Sequence, residues 1–245
     1  MDDLVIVDGV RTPFLKAGTL GQHLSAQELA RQVLVALFKR TPIPPGEVDE
    51  VVFGCVAQPV DAPNLARVAA IQAGLPLHVT AHTVQRNCSS AMQSVTTACD
   101  MIRAGSAEVV VAGGTESLSN SPLLFNPAFT DFFKHAAHAK TIFQKLKVAV
   151  SFRPGMLVPR LALAEGLTDP ICGLNMGQTA EVLSREFGIT RLEQDKFAVE
   201  SHRRADHAAQ SGRRTGEANP HGERPFDGRG PGGLAGDRRI YVPVS

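Results

Sequence analysis

The stretch from Val79 to Gly105 reads VTAHTVQRNCSSAMQSVTTACDMIRAG, and its hydrophobic period changes in the middle. Val79, Ala81 and Thr83-Val84 have the character of a short buried strand. From Ala91 onward, Met92, Val95, Ala98, Cys99 and Ile102 follow at i+1, i+4, i+7, i+8 and i+11, the face of a helix that closes at Gly105. Cys88 sits where one pattern gives way to the other. A thiol at a helix start faces unpaired backbone N–H groups and the positive end of the macrodipole, both of which favour thiolate. A second reading, a small buried core cysteine, stays open on the residues alone.

Working outward, Leu4-Val5-Ile6-Val7 is an apolar strand ending at Asp8-Gly9, and Ser25-Ala26-Gln27-Glu28 is a capping box opening a helix that carries Leu29, Val33, Leu37 and Phe38. Val51-Val52-Phe53 ends at Gly54. Pro63 stands near the first turn of a helix through Ala73, which Gly74 and Pro76 stop. Glu108 to Ala112 is a fourth strand, ended by Gly113-Gly114. Four apolar strands separated by helices predict an α/β layered fold whose sheet is buried on both faces.

Beyond Ser121 come a segment without evident strands, a helix over about Gln178 to Phe187 ended by Gly188, and a second helix from the box Thr190-Arg191-Leu192-Glu193 towards Gly212. The expected division is a sheet domain over 1–120, a mainly helical domain over 121–210 and an atypical tail over 211–245. From Ser211 to Arg239 the tail holds eight of the 22 Gly and six Arg with few large apolar residues, too few to bury a core face. It reads as a flexible loop or as a non-native end left by a shifted reading frame.

A length of 245 residues, 43% hydrophobic content and a net charge of +1 describe an ordinary globular chain. No stretch of 18 apolar residues exists, and Met1-Asp2-Asp3 lacks the basic, then apolar, start of a signal peptide, so a cytoplasmic location is expected. Cys55, Cys88, Cys99 and Cys172 contain no C-x-x-C pair, so neither a metal site nor disulfides is expected. From 132 to 164 there is no Asp or Glu, while Lys134, Lys140, Lys145, Lys147, Arg153 and Arg160 alternate with Ile142, Phe143, Leu146, Val148 and Phe152. This cationic amphipathic region is either a hairpin packed on its own domain or a surface for a membrane or a partner subunit. Nucleic acid is not an expected partner of so neutral a chain.

Four segments together resemble the thiolases that cleave or form 3-ketoacyl-CoA. They are Val7-Asp8-Gly9-Val10-Arg11-Thr12-Pro13-Phe14, Asn87-Cys88-Ser89-Ser90-Ala91-Met92-Gln93-Ser94-Val95, the Gly-Gly-x-Glu-Ser turn within Ala112 to Pro122, and Asn175-Met176-Gly177-Gln178-Thr179-Ala180-Glu181. The resemblance covers residues 1 to about 210, and the basic segment with Arg191-Leu192-Glu193-Gln194-Asp195 is most similar to thiolases of fatty-acid oxidation. It implies the N-terminal half of a thiolase fold, a layered sheet domain with an inserted helical loop domain. It also implies that Cys88 takes an acyl group from acyl-CoA as a thioester, and that Met176 lies along the pantetheine arm of CoA. The residue-level alternative for Met176 is a core thioether. CoA and acyl-CoA are then substrates, with no tightly bound cofactor, and Glu116 and Ser117 fix the turn beside the site.

The family usually has Gly where this chain has Ala91, a change that costs roughly 1–3 kcal/mol if the site is tight. It also continues into a second half with the activating histidine and a second cysteine, so the resemblance predicts no turnover by this chain alone, which is then inactive or only acylatable, and either a homodimer or a complementing C-terminal half. Two rivals stand beside that reading: another condensing enzyme of the same fold, and a silent binding or assembly module.

Overall fold

The computed structural model describes residues 4–211 and 239–244. Two compact units divide them, one of Met1–Asn120 with Ala205–Ser245 and one of Ser121–Arg204. The first unit alternates strand and helix: β1 (Val5–Arg11), α1 (Ala26–Arg40), β2 (Glu50–Gly54), α2 (Leu65–Gln72), β3 (Thr80–Val84), α3 (Ser90–Arg103) and β4 (Val109–Gly114). The second contains β5 (Leu123–Leu124), α4 (Pro127–His138), α5 (Ile142–Ser151), β6 (Arg160–Leu161), α6 (Ala162–Gly166) and α7 (Met176–Glu186). The boundary between the units falls inside α8 (Arg191–Gln210), and β7 (Arg239–Val244) returns to the first.

The main sheet is parallel throughout, in the order β1-β7-β4-β2-β3. Successive residues of its inner strands point to opposite faces, and both faces are apolar. Val51, Phe53, Val111 and Tyr241 join Val33, Leu34 and Leu37 of α1 and Leu65 and Ala69 of α2 in one core cluster. Val52, Val110, Ala112 and Ile240 join Ala98 and Ile102 of α3 in the other. This is the two-faced burial that continuous apolar strands predict, each large side chain contributing about 1.5–3 kcal/mol on leaving water.

The tail expectation needs correction. Residues 239–244 are an inner strand, paired with β1 from Val5↔Arg239 to Arg11↔Val244 and with β4 from Val109↔Arg239 to Gly114↔Val244. Ile240 is fully buried, so the last residues of the 211–245 span belong to the core of the first unit. The Gly- and Arg-rich stretch over 212–238, with its loop and shifted-frame readings, lies outside the described residues.

The two capping boxes expected from the sequence differ in outcome. At Thr190 the reciprocal box forms, with Glu193 N donating to Thr190 Oγ1 at 3.3 Å and Thr190 N to Glu193 Oε2 at 2.8 Å. At Ser25 only half forms: Glu28 N donates to Ser25 Oγ, but the Glu28 carboxylate turns to Arg31 (Nη2–Oε1 2.6 Å) and Gln32. The Arg31 guanidinium outbids the Ser25 N–H for it, and holds its carboxyl below the ordinary glutamate value.

Candidate functional site

Gly54 of β2 is level with Val84 of β3 and with Gly114 of β4, so the three strands end together. Crevices beyond the carboxyl ends of parallel strands are where such sheets bind ligands. The chain leaving β3 makes the Cys88 turn here and enters α3. Asn87 has φ 48°, in the left-handed region that asparagine tolerates better than most residues. Cys88 itself is exposed. One position beyond the helix cap, Ser90 Oγ accepts from Arg86 N at 2.8 Å and donates to Asn87 O at 2.6 Å. One turn on, the buried Ser94 donates its hydroxyl to Gly113 O at 2.7 Å, tying α3 to the end of β4.

Two glycines let α3 come this close. A Cβ on Gly54 would lie 2.2 Å from Ser90 C, and one on Gly114 would lie 2.5 Å from Ala91 Cβ. The Ala91 methyl therefore sits against the bare face of Gly114.

The segment after β4 works as a staple. Glu116 accepts from Val56 N at 2.9 Å and from Ala57 N at 3.2 Å, clamping the loop after β2. Thr115 Oγ1 donates to Ala26 O, Ser117 Oγ to Leu24 O, and Asn120 Nδ2 to Leu24 O, fixing the approach to α1. Glu116 also accepts from Cys55 Sγ at 3.9 Å, and Ser117 Oγ from Asn120 Nδ2 at 2.8 Å. Beside the clamp, burial and then the Glu116 charge push the Cys55 thiol up to about 12, which leaves it an inert thiol.

His82, midway along β3, has its Nδ1 2.8 Å from Oε1 of Glu50, the first residue of β2, and His78, which precedes β3, has its Nε2 3.2 Å from Gly46 O. Met176 is the first residue of α7, in the second unit, and is 49% exposed. A box formed by Asn175 and Gln178 caps that helix. Among the described residues no cluster of His, Cys, Asp or Glu could hold a metal ion, and no helix is long and apolar enough to cross a membrane. The sequence reading missed Gly54, Ser90 and Ser94; the pair Gly54 and Gly114, each ending an apolar strand, was the available signal for close helix approach.

The model of the thiolase N-terminal domain matches residues 4–223 of this chain, a span that includes the Cys88 turn, the staple and Met176. The chain belongs to the thiolase family. Among relatives, the mitochondrial trifunctional enzyme subunit beta of Rattus norvegicus is 40% identical over 213 residues, 86% of this chain and 44% of that protein. Among solved structures, the acetyl-CoA acetyltransferase of Bacillus anthracis superposes with a TM-score of 0.72 at 36% identity, over 89% of this chain and 51% of that one. Human mitochondrial 3-ketoacyl-CoA thiolase, solved in complex with CoA, gives 0.68 at 30% identity, over 84% and 48%. This thiolase chain therefore spans about half the length of the relatives it matches, and the sheet with helices on both faces is the thiolase N-terminal fold.

Proposed function

We propose that this chain accepts an acyl group from acyl-CoA on Cys88, as the first step of a thiolase-type acyl transfer between CoA thioesters. The observation that carries the reading is an exposed thiol, presented at the start of α3 by a turn that three strand ends and two glycines hold in place. With acetyl-CoA, Cys88 Sγ attacks the thioester carbonyl, the bond from that carbon to the CoA sulfur breaks, and CoA leaves as a thiolate that takes up a proton. A thiolate is both a good nucleophile and a good leaving group, so the same sulfur can pass the acyl group on. Met176, half-exposed at the start of α7, is assigned to the pantetheine arm by the same reading.

Intact mass after incubation with acetyl-CoA tests it. One acetyl group on the wild-type chain and none on Cys88→Ala is the expected result. An unmodified wild-type chain would favour the silent-module reading instead.

The basic region supplies a second element of the proposal. Phe129 and Phe132 stack on one another and Phe152 meets Phe132 edge-on at 5.5 Å, so part of its apolar surface packs within the hairpin. Ile142, Phe143, Leu146 and Val150 remain exposed at i, i+1, i+4 and i+8 along α5, flanked by exposed Lys140, Lys145 and Lys147. Such a stripe fits an anionic lipid surface or a partner subunit. Sedimentation with vesicles rich in anionic lipid is expected to carry down the wild-type chain at low salt, and Leu146→Glu to weaken it roughly tenfold or more. Equal sedimentation of the two chains would exclude this stripe as a lipid contact.

A further inference from the structure

We propose that Ser90 is a positioning residue for Cys88, its hydroxyl holding the turn that presents the sulfur; this deepens, and rests on, the assignment of Cys88 as acyl acceptor. Residues 85 to 89 are all exposed, and Ser89, at the cap of α3, makes no side-chain hydrogen bond to the helix. Ser90 is different in kind. It is 4% exposed, and its single hydroxyl takes the N–H of Arg86 and gives its proton to the C=O of Asn87, which also accepts Ser90 N at 3.0 Å. The chain leaves Ser90's grip at Asn87, carries Cys88 outward, and returns to it within three residues.

The base of that loop is fixed from behind. Gly54 lies so close to Ser90 that a Cβ there would be 2.4 Å from its carbonyl oxygen and 2.5 Å from Ala91 N. With the Ser90 backbone held by the end of β2, its hydroxyl fixes the two residues before Cys88 relative to the sheet. Asn87 needs that support, because a non-glycine residue at φ 48° returns to negative φ when nothing restrains it. Its return would swing the sulfur out of the place where the turn presents it, just ahead of α3.

The experiment is alkylation of the whole chain by iodoacetamide near neutral pH, with peptide mass spectrometry resolving the cysteines. Ser90→Ala is expected to slow modification of Cys88 roughly two- to fivefold, and Ser90→Thr, which restores a hydroxyl, to return it to within about 1.3-fold of wild type. Cys55 reports on the fold, since it is buried and stays unmodified as long as the first unit is intact. A wild-type rate in Ser90→Ala overturns the proposal, as does a Ser90→Thr chain as slow as Ser90→Ala. Labelling of Cys55 in Ser90→Ala overturns it too, because the hydroxyl would then be holding the fold and not the turn. Failure of the acyl-acceptor reading is seen separately, as a wild-type chain that takes no acetyl group from acetyl-CoA while the alkylation rates keep the stated order.

Discussion

Gly54→Ala is expected to lower the stability of the first unit by about 3 kcal/mol or more, and to abolish the acylation proposed for Cys88 along with it. The new methyl carbon would lie 2.2 Å from Ser90 C, 2.4 Å from Ser90 O and 2.5 Å from Ala91 N. All three are backbone atoms, so no side-chain rotation makes room. Either β2 or the start of α3 must move, and β2 is held on both sides by β3 and β4. The helix start is therefore what shifts, taking the Cys88 turn with it. For a chain of this size the loss corresponds to a fall of roughly 6–12 °C in Tm, read by circular dichroism. Gly46→Ala is the control, since the nearest atom to its added carbon is Pro76 Cγ at 3.9 Å, an ordinary contact. Equal melting of the two variants would show that α3 does not press on β2 as described.

That contact also shows where the sequence stops being readable. The strands over Val51 to Phe53 and Val109 to Ala112 announce themselves as unbroken apolar runs because burial on both faces leaves no polar alternation. The switch of period across Cys88 marks a strand running into a helix, and the structure has β3 end at Val84 and α3 begin at Ser90. Those are local signals. Gly54 is ordinary as a strand terminator in sequence; only the approach of a helix that begins 36 residues later makes a side chain impossible there. Ser90 likewise looks like any small residue near a helix cap until its two partners on the other side of the cysteine are seen. At Ser25 the local rule names a reciprocal box, yet Arg31, one turn into the helix, competes for the carboxylate with a full charge. The sharpest miss is β7. Arg239-Ile240-Tyr241-Val242-Pro243-Val244 follows a Gly- and Arg-rich segment and contains a proline, which sequence rules assign to an edge or to no strand. Its partners, β1 and β4, are more than 120 residues away in the chain, and no local pattern encodes that.

Ile240→Asp is the change expected to do the most damage. Ile240 is 0% exposed and packs with Val52, Ala98, Ile102, Val110 and Ala112, on the face of the sheet that α3 covers. A carboxylate there has no cation among those neighbours, and it must be either desolvated as a charge or protonated in an apolar site. Both routes cost several kcal/mol, on the order of 4–5, out of a total stability of about 5–15. Position multiplies the effect, because β7 is the link through which β1 joins β4; if it detaches, β1 loses its strand partner and the sheet is cut between β7 and β4. Ile6→Asp tests the argument from the neighbouring strand. Ile6 is the register partner of Ile240 but is 62% exposed, so its carboxylate stays in water and the chain is expected to melt within about 2 °C of wild type. Matching losses in the two variants would mean that β7 is no more buried than the edge it pairs with. A soluble, cooperatively melting Ile240→Asp chain would remove the strand from the core and return residues 239–244 to the tail that the composition of the preceding segment suggests.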